Sequence, residues 1–249
     1  MSDFRDFFSK NAESFAKSLS HRSGEDLAIL IEHIKPAAGE TALDLAAGTG
    51  FTSLALAKKV SRAVAYDGTP EMLEHAKTLA REEGITSLEF ITGDVCELPF
   101  PDRSFDIITC RRAAHHFTDK PKFISEAFRV LKEGGRFGLV DMATPYADRD
   151  GIINALERIR DPSHVAAESV EEWKMLVASA GFTIREILTS REEYTIERWL
   201  SPLKMDTQQG KEVTKHIANA PSDSLADANM DSEKGTLLKE RFILMAERQ

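Results

Sequence analysis

The amino-acid sequence predicts an α/β protein built on a parallel sheet that helices cover on both faces. Three observations lead to this fold class. Short apolar runs typical of strands alternate with longer segments of helical periodicity. A tight glycine turn follows the first of these strands. The chain has 249 residues, 42% of them hydrophobic, which suits one large domain or a domain with a modest insertion.

Two helical stretches precede the first predicted strand. The first has apolar side chains at a roughly helical spacing: Phe4, Phe7, Phe8, Phe15 and Leu19. The second covers about 23–34 and stops before Pro36. If the first stretch folds over a site, its aromatic side chains would close that site to water.

Strands and helices alternate from residue 41 to residue 141. The strands are predicted at Thr41–Ala46, Ala63–Tyr66, Leu88–Thr92, Phe105–Cys110 and Arg136–Asp141. The helices are predicted at 52–59, 70–83 and 119–131, and Gly134-Gly135 is expected to close the last of them. This regular alternation of strands and helices along the chain predicts a parallel sheet.

The regular alternation of strands and helices ends towards the C-terminus. The region from 143 to 168 is predicted to be an inserted helix and loop. Helix and strand return at Glu171–Ala180 and Phe182–Leu188. The polar stretch 201–236 is either helical and exposed or partly mobile, and a strand-like run follows at 242–246.

Charge and cysteine content argue against several classes of protein. The formal net charge is −9, whereas nucleic-acid binders usually carry a basic face, so we expect no nucleic-acid partner. Cys96 and Cys110 form no Cys-x-x-Cys pair, and we expect neither a metal site nor a disulfide framework. The sequence lacks an apolar run of the roughly 18–20 residues that cross a bilayer. It also lacks a signal-peptide pattern. We therefore expect a cytoplasmic protein without stable membrane insertion.

The segment from Leu43 to Gly50 is predicted to be a strand that leads into a glycine turn and then a helix. Ligands in open α/β sheets bind outside the carboxyl ends of the strands. Gly48 and Gly50 would let the backbone approach such a ligand closely, because neither has a Cβ. The Gly-x-Gly pattern alone also fits a nicotinamide dinucleotide site, which usually has a third glycine.

Two acids and a serine favour a different ligand. Ser53 stands where the third glycine would be. Asp44, before the turn, would repel a diphosphate but suits a ligand with an ammonium and a sulfonium group. Asp94 follows the third strand. Asp67, at the end of the second strand, fits either ligand because a carboxylate there accepts both ribose hydroxyls.

Several motifs follow one another in this region. They are Asp44-x-x-x-Gly48-x-Gly50, Asp67, Gly93-Asp94-Val95, Phe105-Asp106 and Arg129-Val-Leu-Lys-Glu-Gly-Gly135. In this order and spacing they resemble class I S-adenosyl-L-methionine (SAM)-dependent methyltransferases. Leu98-Pro-Phe-Pro-Asp-Arg-Ser-Phe-Asp106 and Ala114-His-His-Phe117 resemble the branch that contains the ubiquinone and menaquinone biosynthesis C-methyltransferases. The resemblance is strong over about 38–145 and weak outside it.

The resemblance implies a Rossmann-like fold with a seven-stranded, mostly parallel sheet and helices on both faces. N-terminal helices and an inserted helical cap would be added to it. Residues 1–37 would form an N-terminal helical cap, and 38–145 the SAM-binding core. Residues 146–249 would supply the cap insertion and the C-terminal completion of the same domain.

The resemblance also implies contacts to SAM. The Gly48–Gly50 turn would lie against the methionine part, with Asp44 near its amino group. Asp67 would take the ribose hydroxyls, and Asp94 would accept a hydrogen bond from the adenine amino group. The expected cofactor-binding residues are Asp44, Ala46, Gly48, Thr49, Gly50, Asp67, Gly68, Met72, Asp94, Val95, Cys110 and Arg111.

Methyl transfer is a displacement at an electrophile that the cofactor supplies, so the chemistry requires neither a metal nor a catalytic triad. The candidate catalytic residues are His115, His116 and Asp141. Either histidine could be a general base near neutral pH, or a packed, hydrogen-bonded loop residue. His164, in the insertion, is expected in a solvated loop, with a place in the pocket wall as the alternative.

The acceptor is expected to be a small apolar or aromatic molecule. The Asn/Asp-Pro-Pro-Tyr run of amino-methylating enzymes and the Pro-Cys nucleophile of cytosine-methylating enzymes are both missing from the sequence. A SAM-binding protein without catalysis and an NAD(P)-dependent oxidoreductase remain as alternatives. The oligomeric state is open as well, with a homodimer as one alternative.

Overall fold

The computed structural model describes residues 8–9, 12–13, 24–201 and 203–249. Its strands are β1 (Thr41–Leu45), β2 (Arg62–Asp67), β3 (Leu88–Thr92), β4 (Phe105–Arg111), β5 (Leu131–Ala143), β6 (Phe182–Thr195), β7 (Met230–Asp231) and β8 (Thr236–Arg248). All of them belong to one sheet, in the order β3-β2-β1-β4-β5-β8-β6, with β7 paired to β8.

The helices between the strands follow in chain order. They are α1 (Glu25–Ile34), α2 (Phe51–Ala57), α3 (Pro70–Glu82), α4 (Lys120–Val130), α5 (Ile152–Arg160), α6 (Val170–Ser179), α7 (Ile196–Leu200), α8 (Gln208–Asn219) and α9 (Ser222–Asp227). A 3₁₀ turn, Ala114–His116, follows β4.

Strands β1 to β5 are mutually parallel, whereas β8 runs antiparallel to both β5 and β6. The expected mostly parallel sheet is therefore confirmed, and the two-residue strand β7 is added to its seven-strand path. Because β1 to β5 are parallel, their carboxyl ends meet at one edge of the sheet, which is where ligands bind in such folds.

Alternate residues of β1 point to opposite faces of the sheet. Leu43 and Leu45 enter a hydrophobic cluster that contains residues of α4 and α6. Ala42 enters a second cluster with residues of α1, α2 and α3. Helices thus cover both faces, as the sequence predicts.

Helix α1 packs directly on the sheet through Leu30 and Ile34, which are fully buried. Gly138 of β5 allows this approach, because a Cβ there would lie 2.6 Å from Leu30 Cδ1. Of the aromatic residues expected in the first helical stretch, Phe8 is described and half-buried. Phe4, Phe7 and Phe15 lie outside the described residues, as does Leu19.

The insertion and the C-terminal segment share a third hydrophobic cluster. It includes Leu156 of α5, Trp199 of α7, Val213 of α8 and Leu237 of β8. These two parts of the chain, which are far apart in sequence, therefore pack together at the extended end of the β6–β8 pair.

Some predicted boundaries were wrong. Gly134-Gly135 does not close a helix: α4 ends at Val130, and both glycines lie inside β5. They occupy an irregularity at which β5 has more residues than β4, since Leu131 pairs with Phe105 and Arg136 with Ile107. Strands β6 and β8 extend well beyond 182–188 and 242–246 because they pair with each other from end to end. For 201–236, α8 and α9 confirm the expected helices, but the segment is not simply exposed, because Val213 and Leu225 are buried.

In the part of the chain that the structure describes, no helix is long and apolar enough to cross a membrane.

Candidate functional site

A cavity of about 200 Å³ opens at the carboxyl ends of the parallel strands. The predicted cofactor residues that line it are Asp44, Ala46, Gly48, Thr49, Asp67, Gly68, Met72, Asp94, Val95 and Arg111. Its wall also includes His116 and three phenylalanines, Phe8, Phe51 and Phe117. Gly50, Cys110, His115 and Asp141 are not among the lining residues.

The turn after β1 has an unusual backbone. Ala46, Gly48 and Gly50 all have positive φ angles, of 51°, 54° and 83°. This conformation is costly for alanine and easy for glycine. At Gly50 a Cβ would also lie 2.7 Å from Ala76 Cβ on α3, so Gly50 allows the turn to pack against that helix.

Asp44 is buried at the end of β1 and held by two hydroxyl groups. Ser53 Oγ donates to one carboxylate oxygen at 2.6 Å, and Thr109 Oγ1 donates to the other at 2.7 Å. Burial raises the pKa of Asp44 to about 6, and these two hydrogen bonds oppose the rise. Ser53 therefore fixes the orientation of the acid in the cavity wall.

Asp67 joins the glycine turn to the start of α3. One carboxylate oxygen accepts the Gly48 N–H at 2.8 Å, and the other accepts the Thr69 N–H at 2.8 Å. Burial raises the pKa of Asp67, and the hydrogen bonds from the backbone lower it. Since each carboxylate oxygen has two lone pairs, both can accept one more hydrogen bond.

Asp94 is exposed beyond β3, and its position is fixed by the backbone. Its Oδ1 accepts the Cys96 N–H at 2.8 Å, and its carbonyl accepts the Tyr66 hydroxyl at 3.1 Å. Gly93 is needed beside it, because a Cβ there would lie 1.9 Å from Tyr66 Oη. We call Asp44, Asp67 and Asp94 the carboxylate wall of the cavity.

The two adjacent arginines after β4 are paired with α1. Arg111 Nη1 lies 3.3 Å from both carboxylate oxygens of Asp26, and its Nε donates to Thr52 Oγ1 at 3.0 Å. Arg112 Nε donates to Asp26 Oδ2 at 2.6 Å. Arg112 has a φ of 57°, a strained value for a side chain of this size.

Cys110 lies in the hydrophobic core and is fully buried. Burial in the core, followed by the charge of Asp141, raises the pKa of its thiol well above the usual range. The structure thus places the Cys110 side chain inside the sheet packing and away from the cavity wall.

The predicted catalytic residues come together with His164 in a group that we call the histidine cluster: His115, His116, His164 and Asp141. His115 Nδ1 lies 2.6 Å from Asp141 Oδ1, and the His115 backbone N–H donates to Asp141 Oδ2 at 3.0 Å. The interaction with His115 lowers the pKa of Asp141 against the opposing effect of its complete burial. The His115 ring centroid lies 4.0 Å from that of His116 and 5.5 Å from that of His164.

The insertion supplies the partners of the other two histidines. His116 Nδ1 lies 3.0 Å from the Ser163 carbonyl oxygen, and His164 Nε2 lies 2.7 Å from Asn154 Oδ1. Burial, and next the charge of His115, lowers the pKa of His116 to about 4 and that of His164 to about 3. His164 is 5% exposed, so the expected solvated position is wrong.

Sequence reasoning missed the residues that hold the predicted ones in place. Thr109 could have been found from strand pairing, since the parallel register sets it opposite Asp44. The sequence pattern indicates Ser53 only as the residue at the position of a third glycine, and the structure adds its hydrogen bond to Asp44. For Ser163 and Asn154 we find no signal in the sequence, because both lie in the irregular insertion. Among the described residues, no group of three or more His, Cys, Asp or Glu side chains could hold a metal ion.

Comparison with known proteins gives the family of this chain. Residues 43–139 match the model of the methyltransferase domain family. The uncharacterized methyltransferase YcgJ of Bacillus subtilis (strain 168) is 38% identical over 218 residues, which are 87% of this chain and 86% of that protein. The crystal structure of YcgJ superposes with a TM-score of 0.79 and 33% identity, over 90% of this chain and 98% of that one.

A demethylmenaquinone methyltransferase of Clavibacter sepedonicus is 41% identical over 112 residues, 45% of each chain. Taken with the fold and the cavity, these matches show that the chain belongs to the methyltransferase domain family.

Proposed function

We propose that this chain is a SAM-dependent methyltransferase that transfers a methyl group to a small acceptor. The observation that carries the proposal is the carboxylate wall. It brings acids from the ends of three neighbouring strands, β1, β2 and β3, into one cavity beside a glycine turn. The match to the methyltransferase domain family supports it.

The chemistry of the wall fits SAM. Each oxygen of Asp67 already accepts one backbone N–H and can accept one hydroxyl, so the carboxylate suits two neighbouring ribose hydroxyls. Asp44 lies near the glycine turn, where its carboxylate can pair with the ammonium group of SAM. Asp94 and Val95 both line the cavity, which supports the expected contacts of the Asp94 carboxylate and the Val95 N–H with an adenine ring. Asp44, beside the glycine turn, would repel a diphosphate there.

When bound, SAM supplies an electrophilic methyl group on a positively charged sulfur. The residues of this chain then have to align the acceptor, exclude water and hold the acceptor's proton. The phenylalanines Phe8, Phe51 and Phe117 give the cavity apolar surface, which supports an apolar or aromatic acceptor.

Two alternative functions, an oxidoreductase and a SAM-binding protein without catalysis, would be contradicted by different observations. An oxidoreductase that binds a dinucleotide pyrophosphate needs a close helix–strand contact where Ser53 stands, and Ser53 Oγ is used by Asp44. A SAM-binding protein without catalysis would have the same carboxylate wall, so only turnover separates it from an enzyme.

A transfer assay with SAM labelled in its methyl group tests the proposal. The purified chain is incubated with a panel of phenols, quinols and aliphatic amines, and labelled product is separated from labelled SAM. We expect label to enter at least one phenol or quinol, together with S-adenosylhomocysteine. The Asp67→Asn variant should lose this activity, and the exposed matched control Asp223→Asn should keep it. SAM binding without transfer to any member of the panel would favour the non-catalytic alternative.

A further inference from the structure

His116 is the member of the histidine cluster that lines the cavity. His115 is paired with Asp141, and His164 with Asn154, and neither is among the lining residues. An acceptor bound in the cavity would therefore meet His116 first.

The hydrogen bonds around Ser163 fix the tautomer of His116. The Ser163 carbonyl oxygen, 3.0 Å from His116 Nδ1, can only accept. Ser163 Oγ, 3.2 Å from the same nitrogen, donates its single hydrogen to Asp161 Oδ1 at 2.6 Å. Both oxygens thus present lone pairs to Nδ1, and the ring hydrogen must be on Nδ1. The other nitrogen, Nε2, then carries a free lone pair.

That lone pair has no hydrogen-bond partner among the described residues. In the described part of the chain, the buried side-chain nitrogens and oxygens without a hydrogen-bond partner are Arg136 Nε and Trp173 Nε1. His116 Nε2 has no partner among the described residues either, yet it is not one of these buried atoms. Nε2 is therefore not a buried, unpartnered atom, and the cavity is the space that His116 lines.

The ring is neutral near neutral pH. Burial, and next the Coulombic effect of His115, lowers the pKa of His116 to about 4, while the Ser163 carbonyl, Asp161 and Asp141 act in the opposite direction. His164 also faces this group, and its pKa is lowered to about 3. His116 thus offers an uncharged hydrogen-bond acceptor.

The surroundings of His116 are aromatic. The Phe8 ring meets the His116 ring edge to face, with centroids 4.9 Å apart. Phe117 and Ala113 continue the apolar wall on either side. A flat apolar molecule fits this wall, and the His116 nitrogen gives it one polar contact.

We propose that His116 Nε2 accepts a hydrogen bond from the acceptor, and that the acceptor is an aromatic molecule with a hydroxyl or amino hydrogen at the atom that is methylated. This rests on the proposed function, since it names the substrate class of the same cavity. The Nδ1–H···O=C bond to Ser163 and the Phe8 contact orient the lone pair towards the acceptor.

For a hydroxyl acceptor the step balances as follows. A lone pair of the hydroxyl oxygen forms the bond to the methyl carbon, and the carbon–sulfur bond breaks with its electron pair left on sulfur. As positive charge develops on the oxygen, its proton passes to His116 Nε2, and the imidazolium later releases the proton to solvent. His116 is a weak base that does not ionise the free hydroxyl, so the proton moves while the bond to the methyl carbon forms.

The first test needs no cofactor. The full-length protein labelled with ¹⁵N in its histidines is titrated by NMR, with His116→Gln used to assign the ring. We expect His116 in the Nδ1–H tautomer, neutral down to a pH of about 4. A ring that is protonated on Nε2, or that titrates near 6.5, would overturn the proposal.

The second test separates positioning from proton transfer. His116→Gln keeps a hydrogen-bonding group near Nε2 but cannot take the proton, so KM for the acceptor should stay close to wild type while kcat falls about 100-fold. His116→Asn shortens the side chain and should raise KM as well. His216→Gln, on α8, is the control and should change neither.

SAM affinity, measured by calorimetry on the same variants, distinguishes the two failures. If wild type and variants bind SAM equally, unchanged kcat in His116→Gln and His116→Asn overturns the role of His116 and leaves the proposed function standing. If wild type binds no SAM, the proposed function itself fails. Equal transfer to a phenol and to its methyl ether, which has no hydroxyl hydrogen, would contradict the proposed substrate class.

Discussion

The two sides of the cavity are built in different ways. The carboxylate wall comes from the ends of β1, β2 and β3, and its acids are held from within the sheet and its turns. Asp67 and Asp94 accept backbone N–H groups, and Asp44 accepts two hydroxyl groups. The histidine cluster is assembled from the turn after β4, the end of β5 and the insertion. His116 and His164 are held by Ser163 and Asn154, which both belong to the irregular insertion.

This difference separates the donor side of the proposed reaction from the acceptor side. The carboxylate wall lies inside the part of the chain that matches the methyltransferase domain, residues 43–139. Asp141, Asn154, Ser163 and His164 lie beyond it. Changes in the insertion should therefore alter the histidine cluster and leave the carboxylate wall intact.

Acidification should destabilise the fold through the histidine cluster, and we expect this change in unfolding free energy to be the largest of those predicted. His116 and His164 have folded pKa values of about 4 and about 3, below the roughly 6.5 of an unfolded histidine. Their contribution to stability is thus present above pH 6.5 and is lost as the pH falls towards the folded values. Each can contribute on the order of 3 kcal/mol to the change in unfolding free energy over this window.

Protonation of Asp44 has the opposite effect on folding stability. Its pKa is raised to about 6, so the folded chain holds a proton that the unfolded chain releases, and acidification from pH 6 to pH 4 favours folding at this site. Urea unfolding of wild type and of His164→Gln between pH 7.5 and pH 4 separates the two effects. We expect a smaller loss of stability on acidification in His164→Gln than in His216→Gln. Equal pH dependence in both variants would show that His164 is not held neutral in the folded state.

A methyl group at Gly93 should disturb the carboxylate side. The new Cβ would lie 1.9 Å from Tyr66 Oη, and the Tyr66 side chain is buried. Gly93→Ala should therefore cost about 1–3 kcal/mol of unfolding free energy through overpacking, as measured by chemical denaturation. It should also weaken SAM binding, because the Tyr66 hydroxyl donates to the Asp94 carbonyl. Thr92→Ala, one residue earlier, is the control, and equal losses in both variants would argue against the steric explanation.

Removal of one hydroxyl from Asp44 should have a moderate effect. Ser53→Ala leaves Oδ2 of this buried acid without its hydrogen bond, and we expect a loss of about 1–2 kcal/mol in unfolding free energy. The pKa of Asp44 should rise further, which NMR titration of the carboxyl carbon would detect. Ser61→Ala removes an exposed hydroxyl that donates to the Glu40 carbonyl, and it should cost much less.

The smallest expected change is a gain. Ala46 has a φ of 51°, which costs alanine about 1–2 kcal/mol, whereas glycine adopts it freely but loses more entropy on folding. Ala46→Gly should thus stabilise the chain by about 0.5 kcal/mol in thermal or chemical unfolding. Ala47→Gly, next to it and without a positive φ, should destabilise it. The same sign for both substitutions would contradict the idea that Ala46 is strained.

The difference between the carboxylate wall and the histidine cluster also explains which residues of the site could be predicted from the sequence. Asp44, Asp67 and Asp94 can be predicted from the sequence because each lies at or just beyond the end of a strand in an alternating pattern, and parallel strands bring their ends together. The pairing of His115 with Asp141 was not predicted, although both were candidates, because no local pattern states which loop residue meets the end of β5. His164 was misplaced for the same reason. Its partner Asn154 depends on how the insertion folds back on itself.

Isothermal titration calorimetry of the full chain with SAM and with NADH tests the central claim most directly. We predict micromolar binding of SAM, no binding of NADH, and a loss of about 100-fold in SAM affinity for Asp67→Asn, since two hydrogen bonds to a charged group are weakened. Asp223→Asn should bind SAM like wild type. Binding of NADH without binding of SAM, or unchanged SAM affinity in Asp67→Asn, would contradict the account.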